Sequence, residues 1–192
     1  MFVETTSPYL SLTKHDESGL LAKMLPTIKD ESDREALWEA VKDGTIDSLG
    51  TDNVSLNKEI KGTGKGMLGA MPGYPVLQTH LPVLLHEGVN KRGVSIERIV
   101  EITSKNPAEI FGIYPKKGTI AVGSDADLVV VDLDKEQVVD ADKIYSFADF
   151  SLYQGRTLKG WPVMTVKGGR VAVEDGNVVA EAGLGSFIRR SK

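Results

Sequence analysis

The sequence has 192 residues, of which 41% are hydrophobic and 26% charged, and its formal net charge is −4. These are ordinary values for a globular chain, and the interspersed charges exclude a surface adapted to nucleic acid. No cysteine is present, which excludes disulfides, thiolate metal ligands and a cysteine nucleophile. No run approaches the ~18 apolar residues that span a membrane, and the first residues lack a basic, apolar leader. We therefore predict a cytoplasmic protein with neither a membrane nor a nucleic-acid partner.

The first third of the sequence predicts a helix followed by a strand. Residues 30–42 form an amphipathic pattern, with Ser32 as a candidate N-cap and Glu35 three residues later, as in a capping box. Gly44 is placed to end this helix. The segment 46–52 then has the composition of a strand that emerges from a helix, which is the αβ step of an α/β protein.

The middle third combines a glycine-rich segment with further helices. Residues 57–75 contain many glycines and little periodicity, which predicts a long surface loop. A loop of that length after a strand is more often functional than idle. Helices are expected over 76–89 and 95–104, the second capped by Ser95, with a short helical turn over 108–111.

The last third is predicted to be mostly β. The Gly-Gly pair within 167–170 and the Asp-Gly pair within 174–177 are typical of tight hairpins. The strands expected in this part are 119–121, 127–132, 137–139, 163–167, 170–174 and 177–180. This change of pattern places a domain boundary near residue 112, so we predict an α/β protein with units 1–112 and 113–192.

Several runs of this sequence resemble the C-terminal portion of the cyclic amidohydrolases, the family of hydantoinases, dihydropyrimidinases and dihydroorotases. The runs are 4–10 (ETTSPYL), 33–44 (DREALWEAVKDG), 50–52 (GTD), 118–132 (GTIAVGSDADLVVVD), 158–163 (LKGWPV), 171–176 (VAVEDG) and 185–189 (GSFIR). They follow the order of that family, and because they are spread from residue 4 to residue 189 the resemblance extends over nearly all of the chain. The resemblance implies the last two β/α units of a (β/α)8 barrel of the TIM type, followed by a small C-terminal β-sandwich domain.

The same resemblance implies metal-dependent hydrolysis of a cyclic amide. In the family a divalent metal, usually zinc, is held by histidines, a carboxylated lysine and an aspartate, and it activates the attacking water. Asp52 matches that aspartate, which implies roles as metal ligand and general base. The other ligands belong to earlier barrel strands, and His15, His80 and His86 are isolated here. We therefore expect this chain alone to bind no metal.

The positions that match the family's substrate-binding residues carry different side chains here. Leu25 stands where a Ser-Pro-Pro segment begins, and Asn53 follows the aspartate where histidine is common. Gly69 and Ala70 stand in place of the Asn-Gly of an Asn-Gly-x-Pro-Gly loop. These four residues are the predicted substrate-loop positions, and each lost polar contact would cost a hydantoin-like ring about 1–3 kcal/mol.

Three hypotheses about function follow. The chain is a fragment of a cyclic amidohydrolase, inactive alone because most metal ligands are missing. Alternatively, it is one half of a split amidohydrolase, or a non-catalytic oligomerisation module derived from the family. Because two barrel strands cannot close a barrel, we expect either a homo-oligomer or a partner chain that supplies the missing strands.

Overall fold

Two short parallel strands organise the N-terminal part of the computed structural model, which describes residues 1–190. Strand β1 (Glu4–Thr6) pairs in parallel with β2 (Ser48–Gly50). Between them the chain forms α1 (Ser7–Ser11), a 3₁₀ turn (Gly19–Ala22) and α2 (Glu31–Asp43). Because the strands are parallel, their carboxyl ends lie at the same edge of the sheet, and the segments that follow them leave from that edge.

Helix α2 begins with a different capping pair from the predicted one. Asp30 is the N-cap, and its backbone amide donates to the carboxylate of Asp33 at 3.2 Å, so these two aspartates form the capping box. The assignment of Ser32 and Glu35 to that role is therefore wrong. Gly44 ends the helix with a φ of 91°, as predicted.

The segment 57–75 exposes many of its residues, as predicted, but it is not the irregular loop that its glycine content predicts. It contains α3 (Lys58–Lys61), a 3₁₀ turn (Thr63–Lys65) and α4 (Gly66–Gly69). The side chain of Lys61 at the end of α3 is fully buried. The physical reason is that hydrogen bonds from lysine side chains to backbone carbonyls hold this segment, and such bonds leave no apolar periodicity in the sequence.

Two longer helical stretches follow, and both switch between α and π geometry. Their parts in chain order are α5 (His80–Leu84), a π-helical stretch (Leu85–Asn90), α6 (Ile96–Val100), a second π-helical stretch (Glu101–Lys105) and α7 (Asn106–Ile110). Ser95 caps α6 as predicted, since its hydroxyl accepts from the backbone amide of Arg98 at 3.2 Å. Across residues 1–190, no helix combines the length and the apolar content that crossing a bilayer requires.

The C-terminal part contains a four-stranded antiparallel sheet. Its strands, in both chain and spatial order, are β3 (Leu128–Val138), β4 (Thr157–Lys167), β5 (Arg170–Glu174) and β6 (Asn177–Val178). The predicted strands 127–132 and 137–139 merge into β3, with an irregular register between Asp132 and Glu136. The predicted strand 119–121 is absent. Both hairpin turns occur where the Gly-Gly and Asp-Gly pairs predict them.

Two clusters of buried apolar side chains hold these elements together. The first lies around β2 and α2 and contains Leu10, Trp38, Val41, Ile46, Leu49, Leu84, Val94, Ile99 and Ile102. The second contains Leu12, Ala22, Met24, Tyr74, Val76, Val83, Val139, Ala148, Phe150, Leu152, Tyr153, Leu158 and Trp161. Because the second cluster takes residues from both sides of position 112, the two predicted units pack against each other. The domain boundary itself stays a prediction.

Candidate functional site

Asp52 lies two residues after β2, at the edge where both parallel strands end. The Thr6 hydroxyl joins the two strand ends, because it donates to the carbonyl oxygen of Thr51 at 3.0 Å. Asp52 has a φ of 48°, in the left-handed region that aspartate enters more readily than most residues. The residue is exposed, so its carboxylate is accessible to a metal ion, a water molecule or a substrate.

Two tyrosines lie close enough to Asp52 to respond to its charge. Burial, and then the negative charge of Asp52, raise the pKa of Tyr9 above its ordinary value. The same two causes raise the pKa of Tyr74, which is fully buried. The Tyr9 hydroxyl also donates to the carbonyl oxygen of Pro26 at 2.6 Å. Both phenols therefore stay protonated at neutral pH, and the carboxylate is flanked by uncharged groups.

Asn53 fixes the chain immediately after the strand end. Its side-chain oxygen accepts from the backbone amides of Val76 at 2.9 Å and Leu77 at 3.1 Å. Its backbone forms a parallel bridge with Tyr74, and the amide of Val54 donates to the Tyr74 carbonyl at 3.0 Å. These contacts are structural ones, and the expected contact of Asn53 with a substrate stays a prediction.

The other three predicted substrate-loop residues lie on two segments that meet in space. Leu25 and Gly69 are exposed, whereas Ala70 is buried. Lys23 joins the two segments, because its Nζ donates to the carbonyl oxygens of Met67 and Ala70, each at 2.5 Å. The structure therefore brings the two predicted segments together, and the contact of Leu25, Gly69 and Ala70 with a substrate stays a prediction.

The histidines do not gather around Asp52. His80 Nδ1 shares a hydrogen bond of 2.9 Å with the Ser7 hydroxyl, and His86 Nδ1 accepts from the backbone amide of Lys159 at 3.0 Å. Within residues 1–190, no three His, Asp or Glu side chains are grouped as a metal ion requires. Since zinc sites need three or four protein ligands, the described donor set does not fit a resident zinc ion. Asp52 can supply one ligand to a site completed by other residues.

A buried polar network follows β1. Burial lowers the pKa of His80 to about 4, so its imidazole is neutral at pH 7. The Ser11 hydroxyl donates to the carbonyl oxygen of Ser7 at 2.7 Å and shares a hydrogen bond of 2.8 Å with the Tyr153 hydroxyl. Ser7 is fully buried, so a substrate cannot reach it. We assign the Ser7–His80 pair to the packing of α1 against α5, and not to nucleophilic catalysis.

No sequence pattern indicates Lys23 and Lys61, whose amino groups bind the backbone of the segments around the site. Lysine is rarely buried without a paired carboxylate, and the pattern of 57–75 contains no apolar stripe that would indicate burial. Neither lysine lies within the seven short runs that first indicate the resemblance to the family. No sequence signal could therefore have identified them.

The profile of the Amidohydrolase family matches residues 10–172, and the chain therefore belongs to that family. Over 190 residues it is 40% identical to the L-hydantoinase of Paenarthrobacter aurescens, and the alignment covers 97% of this chain and 42% of that protein. It is 36% identical over 196 residues to the D-hydantoinase of Geobacillus stearothermophilus, which covers 98% of this chain and 42% of that protein. The chain thus spans about two fifths of the length of these relatives and corresponds to their C-terminal portion.

Solved structures support the same assignment. The L-hydantoinase (dihydropyrimidinase) from Arthrobacter aurescens superposes with a TM-score of 0.94 at 40% identity, covering 98% of this chain and 43% of that chain. The D-hydantoinase (dihydropyrimidinase) from Thermus sp. superposes with a TM-score of 0.92 at 33% identity, with the same coverage of 98% and 43%. The expected resemblance to the C-terminal portion of hydantoinases and dihydropyrimidinases is confirmed.

Proposed function

We propose that this chain is the C-terminal portion of a metal-dependent hydrolase of cyclic amides, and that Asp52 is its metal ligand and general base. The observation that carries the proposal is the exposed carboxylate at the carboxyl edge of β1 and β2, in a chain 40% identical to an L-hydantoinase. Barrel enzymes place their catalytic groups at the carboxyl ends of their strands. In this role the Asp52 carboxylate would accept the proton of the attacking water.

The proposal extends to the architecture. We take β1 and β2 as the last two strands of a (β/α)8 barrel, and the sheet β3–β6 as part of a small β-sandwich domain. The parallel pairing of β1 with β2, the helix α2 between them and the similarity to hydantoinase structures support this interpretation.

We further propose that the 192-residue polypeptide alone does not hydrolyse cyclic amides. Amidohydrolases generally depend on divalent metal ions, and the resemblance implies zinc. Among the described residues, Asp52 has no cluster of further ligands around it. The remaining ligands would come from a partner chain that supplies the other barrel strands, as in a split enzyme. The active site would then contain metal ligands from both polypeptides.

A second candidate is a non-catalytic oligomerisation module. The observation in its favour is that both faces of β3 carry exposed apolar side chains. Val129 and Val130 point to opposite faces of the sheet and leave 48% and 49% of their surface exposed. A second copy of the chain could cover such a surface and would remove it from water. In that case the chain would assemble without metal and without a different partner.

Complementation separates these candidates. The chain is produced alone and together with the N-terminal portion of the Paenarthrobacter aurescens L-hydantoinase, and the hydrolysis of a hydantoin is measured. We expect no hydrolysis by the chain alone and measurable hydrolysis by the complemented pair. Asp52→Asn should lower the rate of the pair by at least about 10²-fold, because the general base is lost.

The matched control is Asp134→Asn, since Asp134 lies on β3 and pairs with Lys159 at 2.8 Å on the surface. This variant should keep about the wild-type rate. Hydrolysis by the chain alone, or an Asp52→Asn pair as active as the control, would contradict the proposed role. A stable assembly of identical chains that does not bind the complementary portion would favour the oligomerisation module.

A further inference from the structure

Lys61 is a buried lysine whose amino group ends among backbone carbonyl oxygens. Its Nζ donates to the carbonyl oxygen of Gly73 at 2.5 Å and to that of Lys23 at 2.9 Å. Burial, and then the positive charge of Lys23, lower the pKa of Lys61 to about 8. Among residues 1–190 its recorded partners are these carbonyls and no carboxylate. A cation is rarely buried in this way, so its position calls for a physical explanation.

Lys23 repeats the arrangement in the opposite direction. Its Nζ donates to the carbonyl oxygens of Met67 and Ala70, and its own carbonyl accepts from the amide of Gly73 at 3.0 Å as well as from Lys61. The two lysines are 38 residues apart in sequence, and each binds the backbone of the segment that carries the other. We call this pair the lysine clasp.

The lysine clasp continues into the edge that carries Asp52. Gly73 has a φ of 110°, and a Cβ there would lie 2.7 Å from the Cβ of Val54, so only glycine fits without displacement. The next residue, Tyr74, forms the backbone bridge with Asn53, which directly follows Asp52. The Lys61 amino group is therefore connected to the backbone at Asp52 through its hydrogen bond to Gly73 and the bridge between Tyr74 and Asn53.

We propose that the lysine clasp fixes the segments 25–27 and 69–73, which carry the predicted substrate-loop positions, in one arrangement beside Asp52. This makes Lys61 a positioning residue for substrate. This inference rests on the proposed function, because it takes these segments as those that contact the cyclic amide. A glycine-rich segment loses much conformational freedom when it is ordered. The two lysines order it in advance, so that substrate binding does not have to.

Hydrogen exchange on the full chain tests the lysine clasp directly. Lys61→Met removes the amino group and keeps most of the aliphatic stem. We expect the amide of Gly73 and that of Met71, which donates to the Lys61 carbonyl at 2.9 Å, to exchange about tenfold faster in this variant. Amides of α2 and β4 should keep their wild-type rates. Lys58→Met is the matched control, since Lys58 is an exposed lysine on the same helix.

Unchanged exchange at Gly73 and Met71 in a folded Lys61→Met chain would overturn the proposal. An equal increase at every amide would also overturn it, because the lysine would then support the whole fold and not these segments. If Lys61→Met fails to fold, Lys23→Met removes the other half of the lysine clasp without emptying a buried site. Its expected effect is about tenfold faster exchange between residues 67 and 71, and unchanged rates there would refute the proposal.

A kinetic readout distinguishes positioning from general support. In the complemented hydrolase, Lys61→Met should raise KM about tenfold with little change in kcat, whereas Asp52→Asn should lower kcat. An unchanged KM in a folded, assembled Lys61→Met pair would contradict the positioning role. Failure of the wild-type pair to hydrolyse would count against the proposed function, while the exchange experiment would still decide whether the lysine clasp exists.

Discussion

The edge that carries Asp52 and the segment 57–75 are neighbours in the fold, but different forces hold them in place. The edge belongs to the parallel pair of strands β1 and β2, which packs against a cluster of buried apolar side chains that includes Trp38. The segment has short helical turns, and lysine amino groups bind the carbonyls of its backbone. The first region therefore owes its stability mainly to apolar burial, and the second to a few hydrogen bonds from lysine amino groups to backbone carbonyls. We expect the two regions to respond differently to mutation and to pH.

The largest effect should come from the apolar side of this comparison. Trp38 is fully buried, donates from Nε1 to the Leu10 carbonyl at 2.7 Å, and has the Arg92 guanidinium 5.3 Å from its ring centroid. Trp38→Ala should lower the free energy of unfolding by about 3–5 kcal/mol, because it removes a large side chain and leaves a cavity. Chemical denaturation measures this change. A loss below about 1 kcal/mol would mean that the first core is not the main source of stability.

The pH dependence should come from the lysine side of the comparison. The pKa of Lys61 is about 8 in the folded chain and near 10.5 when exposed, so the unfolded chain binds more protons between these pH values. The free energy of unfolding should therefore rise with pH between about 8 and 10, by at most about 3 kcal/mol. The neutral amine can keep both hydrogen bonds to the carbonyls while its burial no longer costs a charge.

Denaturation at several pH values, on the wild-type chain and on Lys61→Met, isolates this contribution. The difference between the two proteins removes the effects of tyrosines and other groups that titrate at high pH. The variant should lack the rise. A parallel pH dependence in both proteins would contradict the view that Lys61 is buried as described.

A smaller effect is expected at the junction of the two regions. Gly73→Ala introduces a side chain at a φ of 110° and 2.7 Å from the Val54 Cβ, so it should cost about 1–3 kcal/mol. Gly64→Ala is the matched control in the same segment, because a Cβ there meets no atom within 4 Å and its φ is not in the left-handed region. Thermal or chemical unfolding compares the two. Equal stability of both variants would mean that the close approach of Gly73 to Val54 can relax freely.

The same contrast explains how much of the structure could be predicted from the sequence. Helix α2, the strand that follows it and the two C-terminal hairpins come from local patterns: an apolar stripe, a terminating Gly44 and paired turn residues. The N-cap was misplaced because Ser32 and Asp30 both head plausible capping boxes, and local sequence does not choose between them. The prediction of a strand over 119–121 is wrong, because a short apolar run forms a strand only where the tertiary fold provides a pairing partner.

At the candidate site, the sequence points to Asp52 but not to the contacts that hold the neighbouring segments in place. Asp52 could be predicted as a candidate because the resemblance to a family gives a meaning to an aspartate at a strand end, and its role stays a proposal. The roles of Lys23 and Lys61 depend on contacts between segments far apart in sequence, for which neither periodicity nor turn chemistry gives a signal. Asn53 illustrates the same limit, since its bonds to Val76 and Leu77 become visible only in three dimensions.

The most direct test of the central claim is the zinc content of the purified chain, alone and with the complementary N-terminal portion, after dialysis without chelator. We expect far less than one zinc ion per chain for the polypeptide alone, because one carboxylate cannot hold the metal. We expect at least about one ion per complemented pair, and a clear loss of that metal in Asp52→Asn. A full equivalent of zinc on the chain alone would contradict the proposed role of Asp52, since the described residues would then contain a metal site of their own.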